Sequence, residues 1–120
     1  MQYMMLIYMD ENSLTEDQRE ACYKQSAAFA NELHANGKYL YTAPLQPTST
    51  ATSVRVREGK PLITDGPFAE TREQLGGFFL IEAENLDDAI DIAGKIPAGR
   101  WGTVEIRPVV HVSGLPHNSN

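Results

Sequence analysis

The stretch GGFFLIEAENLDDAIDIAGKIP, residues 76–97, sets a strand against a helix within twenty-two residues. Successive strand residues point to opposite faces, so Phe78 and Leu80 share one face while Phe79 and Ile81 share the other. Both faces are apolar, as expected of a central strand covered on both sides. Asn85 then reads as a helix N-cap with Asp87 and Asp88 in the first turn, and Pro97 ends the segment. Leu86, Ala89, Ile90, Ala93 and Ile96 follow helical spacing and form the expected core stripe. Gly76-Gly77 opens an apolar strand rather than a helix, which excludes a phosphate loop and points to a bulge or close backbone packing.

Working outward, Tyr3 to Met9 is a second strand apolar on both faces, stopped by Asp10-Glu11-Asn12-Ser13. Thr15 to Gly37 reads as a long helix, with Thr15 and Gln18 as a capping box and Gly37 as terminator. Its core stripe is Cys22, Ser26, Phe29, Ala30 and Leu33. Tyr39 to Leu45 forms another strand. Ser53 to Arg57 alternates apolar residues with Arg55 and Arg57, turns at Glu58-Gly59-Lys60-Pro61, and returns through Leu62 to Thr64 as a hairpin. Thr103 to Val109 is the last strand. The order is strand, helix, strand, hairpin, strand, helix, strand: an α+β, ferredoxin-like antiparallel sheet with two helices on one face and an inserted hairpin. Two helices cover one face only, so a second copy packed sheet to sheet is expected, an isologous homodimer with a barrel-like core. One domain over 1–112 and a frayed tail over 113–120 complete the expected layout.

At 120 residues, 42% hydrophobic and 22% charged, the chain is long and apolar enough for one self-sufficient core. Its net charge of −6 opposes a nucleic-acid partner. The apolar start lacks a basic flank and meets Asp10-Glu11 at once, which predicts neither a signal peptide nor a membrane span. The single Cys22 fits a reducing compartment, and a cytoplasmic location is the expectation. Cys22 lies on the core stripe as an inert thiol. His34, near a helix C-terminus, reads as an exposed residue suited to the dipole. His111 and His117 lack metal-ligand spacing, so neither metal nor cofactor is expected.

The segment leading into the central strand carries the candidate chemistry. Asp65-Gly66-Pro67-Phe68 explains itself as a corner: Asp65 capping the turn, Gly66 at positive φ, Pro67 with its φ fixed. Phe68 followed by Glu70, Arg72, Glu73 and Gln74 also supplies the mix of apolar wall and converging polar groups that a ligand site needs. In that reading Asp65 and Glu70 are the catalytic pair, as hydrogen-bond acceptors or proton-transferring base. Arg72 holds an anionic or carbonyl oxygen, with Phe68 and Gln74 against the substrate. Arg107 joins the substrate-binding set because an arginine inside a sheet needs a partner, although Glu105 on the same face could supply one. The plainer alternative for Arg72 is an ion pair with Glu70 or Glu73.

Asp65 to Phe78, taken with Thr52 to Lys60, Asn85 to Ala89 and Val104 to Val109, resembles the DGPF branch of the YCII-related proteins over nearly the whole chain. The resemblance implies a dimeric α+β barrel related to small enzymes such as muconolactone isomerases and cofactor-independent monooxygenases. A His and Asp pair proposed for some relatives would use Asp65 here, yet no histidine stands near the motif. Shared genomic context links such proteins to extracytoplasmic-function sigma factors. Two readings follow: a small-molecule-binding protein or cofactor-independent enzyme with a pocket between sheet and helices, or a non-catalytic module for a sigma-factor-linked partner.

Overall fold

In the computed structural model, which describes residues 1–116, four strands build one antiparallel sheet: β1 (Gln2–Met9), β2 (Tyr39–Pro44), β5 (Gln74–Glu82) and β6 (Gly102–Pro108). Their order is β2-β5-β1-β6, so the two strands apolar on both faces occupy the centre, as their composition requires. The helices α1 (Glu16–Ala35) and α2 (Leu86–Ala93) follow β1 and β5. This is the ferredoxin-like α+β arrangement. The hairpin of β3 (Thr52–Arg57) and β4 (Lys60–Asp65) forms a separate two-stranded sheet between β2 and β5 in the chain.

The core lies between the sheet and the helices. Tyr3, Met5 and Ile7 of β1 and Phe79 and Ile81 of β5 point into it, and Cys22, Phe29, Ala30 and Leu33 of α1 close it from above. Phe79, Met5 and Ile81 are its largest fully buried side chains, each worth about 1.5–3 kcal/mol of burial. α1 begins where expected: Thr15 Oγ1 accepts from the Gln18 N–H at 3.1 Å and Gln18 Oε1 accepts from the Thr15 N–H at 2.9 Å. It ends at Gly37, whose φ of +72° suits a residue without Cβ.

The core face of α2 keeps Ala89, Ala93 and Ile96 of the expected stripe and takes Ile92 in place of Leu86 and Ile90. Ala89, Ile92 and Ile96 are buried, while Leu86 and Ile90 stand 52% and 49% exposed. Ala89, Ile92 and Ile96 follow three- and four-residue spacing and are turned to the sheet.

β1 and β5 pair in register from Gln2 opposite Glu82 to Ile7 opposite Gly77, then slip so that Tyr8 faces Leu75. Gly76 is the extra residue of this bulge. A Cβ on Gly77 would stand 2.9 Å from the Ala43 carbonyl oxygen, so the close approach of β2 to β5 also requires glycine. Both expectations for the Gly76-Gly77 pair hold. Residues 113–116 are exposed and lie outside helices and strands, while His117 and the rest of the expected tail fall outside the described residues.

Candidate functional site

Gly76 and Gly77 at the bulge line a cavity of about 370 Å³ between sheet and helix. Its floor is Ile7 and Met9 of β1 with Gly77 and Phe79 of β5. Arg19, Cys22 and Ser26 of α1 form one wall, and the Pro44–Pro47 segment after β2 forms the other. Three- and four-residue spacing along α1 aligns Arg19, Cys22, Tyr23, Ser26 and Ala27 on this wall. Glu11 and Arg19 are the charged residues of the lining. A broader groove of about 630 Å³ runs between α2 and β6 past Ile90, Ile96, Lys95 and Arg100, and carries no carboxylate.

Glu11 ties the cavity together. Its N–H donates to Gln74 Oε1 at 3.0 Å, and its carbonyl oxygen accepts from Arg19 Nη2 at 3.1 Å. Its carboxylate accepts from the Thr48 N–H at 2.7 Å and from the Thr48 hydroxyl. Gln74 in turn donates through Nε2 to the Thr71 carbonyl oxygen at 2.5 Å. One residue thus clasps the start of β5, the first turns of α1 and the turn at Thr48–Thr50. Hydrogen bonds to a charged acceptor are among the stronger ones, about 1.5–3 kcal/mol each.

The predicted site residues lie elsewhere. Asp65, Phe68, Glu70, Arg72 and Arg107 are exposed and none of them lines the cavity. Gln74 reaches the cavity wall only through Glu11. Phe68 is 80% exposed, with the Arg55 guanidinium 5.9 Å from its ring centroid. The corner does turn at Gly66, with φ +112°, but the Gly66 N–H to the Ala51 carbonyl (2.8 Å) and Ser53 Oγ to the Gly66 carbonyl (2.8 Å) hold it. Among the described residues, neither Arg72 nor Arg107 has a carboxylate within 4.0 Å.

Glu105 takes a different partner from Arg107: the Tyr8 hydroxyl donates to it at 3.3 Å on the outer face of the sheet. Burial raises the Tyr8 phenol above its usual range, and the Glu105 carboxylate raises it further. Among the described residues no cluster of His, Cys, Asp and Glu could hold a metal, and no helix is long and apolar enough to cross a membrane. His34 is exposed near the end of α1, edge-on to Tyr39 with ring centroids 6.1 Å apart.

Glu11 and Arg19 escaped the sequence reading because their role arises where segments from four parts of the chain meet. Glu11 was legible only as part of a strand-ending polar run, and Arg19 as an ordinary helical residue. The one available signal was Ser26, a polar residue on the expected core stripe of α1.

The sequence profile of the YCII-related domain matches residues 1–113. Uncharacterized protein R00369 of Rhizobium meliloti (strain 1021) is 35% identical over 114 residues, an alignment covering 91% of this chain and 92% of that protein.

Proposed function

The chain belongs to the YCII-related family, and from that premise we propose that it is a small-molecule-binding protein or cofactor-independent enzyme whose ligand occupies the cavity between α1 and the sheet. The carrying observation is the cavity itself: about 370 Å³, walled mainly by apolar side chains, with Glu11 and Arg19 at one end. Ligand sites of about 300–1,000 Å³ combine such walls with a few placed polar groups. In an enzymatic version Glu11 is the candidate base. The loop from Asp65 to Gln74 then acts as a rim, anchored through Gln74, with Asp65, Glu70, Phe68 and Arg72 meeting ligand on its way in.

The protein acts as a homodimer in this reading. Met4, Leu6, Tyr8, Phe78 and Leu80 occupy the sheet face that carries no helix and remain only half-buried in the single chain. A sheet-to-sheet partner would cover them.

A thermal-shift screen of small carboxylic acids, lactones, phenols and quinones tests the reading. A ligand at a hundred times its Kd stabilises by about 2.7 kcal/mol, enough for a shift of several degrees in a domain of this size. Ser26→Phe, which fills the cavity, should abolish the response. Asp65→Asn and Arg72→Ala should weaken it only where the rim contacts ligand. A hit that Ser26→Phe binds equally well places the ligand elsewhere and defeats the proposal.

The second reading, a non-catalytic module for a regulatory partner such as an extracytoplasmic-function sigma factor, draws on the hairpin. Val54, Val56 and Ile63 share one face of it and are 59%, 62% and 69% exposed. A module of this kind would keep its partner when the cavity is filled and lose it when Val54 and Ile63 become polar.

A further inference from the structure

Resting on the reading of the cavity as a ligand site, we propose that it takes a small apolar monocarboxylic acid, with the Arg19 guanidinium as receptor of the carboxylate. Arg19 is half-buried in the cavity wall. A guanidinium carries five N–H donors in a rigid fork, and the structure gives one hydrogen bond to them, Nη2 to the Glu11 carbonyl at 3.1 Å. No carboxylate among the described residues lies within 4.0 Å of it. The Glu11 side chain, which could have neutralised it, is turned to Thr48. A cation so placed, held by a backbone carbonyl in the lining of a mainly apolar chamber, matches a ligand with one planar anionic end and an apolar body.

Charge narrows the class further. Arg19 is the one cationic residue of the lining and Glu11 its one acidic residue. A second negative charge on the ligand would find no partner and would face Glu11 instead, while the chain's net charge of −6 opposes polyanions in general. Phosphate esters and dicarboxylates are therefore disfavoured. The apolar body would lie along Met9, Cys22 and Phe79, with the Ser26 hydroxyl of the same lining available to a polar substituent.

The test is a titration of the full chain with sodium benzoate and with benzamide, its uncharged counterpart, followed by amide shifts in proton–nitrogen correlation spectra. In the native protein both should move the amides of Arg19, Cys22 and Phe79, with benzoate binding at least about tenfold tighter, and Arg19→Gln should reduce that preference to within about twofold. Arg19→Lys, which keeps the charge without the fork, should fall between. Equal affinities in the native protein, or a benzoate preference intact in Arg19→Gln, would overturn the carboxylate assignment while leaving the cavity a ligand site. Absence of cavity shifts with either compound overturns both. The native benzoate-to-benzamide ratio decides alone if Arg19→Gln does not fold.

Discussion

Gly102 carries the tightest backbone approach in the molecule among its glycines. A Cβ there would stand 1.8 Å from the Tyr8 carbonyl oxygen and 3.0 Å from Met9 Cα, both belonging to the paired strand β1. No side-chain rotation relieves a clash with backbone, so Gly102→Ala must separate the ends of β1 and β6 next to the cavity floor. At Gly76 the corresponding Cβ meets Met9 Cγ at 3.6 Å, an ordinary contact. Urea unfolding should therefore show Gly102→Ala destabilised by roughly 2–3 kcal/mol, as overpacked sites are. Gly76→Ala should lose less than half of that. Equal midpoints for the two variants would mean that β1 and β6 do not approach as closely as this geometry has them.

Between elements, Asp88 in the first turn of α2 joins the helix to the start of β2. Its carboxylate accepts from the Glu84 N–H at 3.0 Å and from Lys38 Nζ at 2.9 and 3.2 Å, and its own N–H donates to Asn85 Oδ1 at 2.9 Å. The Glu84 hydrogen bond, followed by Lys38, lowers the Asp88 pKa below the ordinary value. A carboxyl lowered in the folded state stabilises above its unfolded pKa, and that contribution disappears as pH falls through the folded value. The stability gap between the native protein and Asp88→Asn should thus be flat near neutrality and shrink below about pH 4, which urea midpoints at stepped pH will read. A gap that is constant to acid would remove Asp88 from the linkage. Asn85, Asp87 and Asp88 were legible as a helix start because capping is local chemistry. The edge of the α2 face was not, since Ile92 on one side or Leu86 and Ile90 on the other can flank Ala89 at helical spacing, and only the docked sheet selects Ile92. The same division holds for the site. Apolar patterning made the two central strands beneath the cavity legible, whereas the Glu11 clasp depends on the tertiary meeting of residues 11, 19, 48 and 74.

For the whole molecule, shape and charge both bear on assembly. The radius of gyration is 16.1 Å over extents of 45 × 43 × 23 Å, against about 13.6 Å for a compact domain of this length. The departure from compactness is consistent with the projecting hairpin, whose strands are exposed almost throughout. A two-stranded hairpin alone is marginal in water. It carries Arg55, Arg57 and Lys60 against Glu58 and Asp65, whereas the rest of the chain is strongly acidic. In the homodimer proposed above, one two-fold partner would cover the bare sheet face of Leu6, Phe78 and Leu80 and the bare hairpin face of Val54, Val56 and Ile63, its acidic body complementing the basic strands. Sedimentation of the native protein should accordingly give twice the 13.3 kDa chain mass, and Leu6→Lys with Leu80→Lys should give the chain mass while keeping the far-ultraviolet spectrum, because these residues lie outside the core between sheet and helices. Amides of residues 54–63 should exchange at least about tenfold faster in that variant than in the native protein, since their shelter would come from the partner. A native protein that sediments as a single chain, or hairpin amides equally fast in both, would leave the two faces to a different macromolecule and turn the assembly toward the regulatory module.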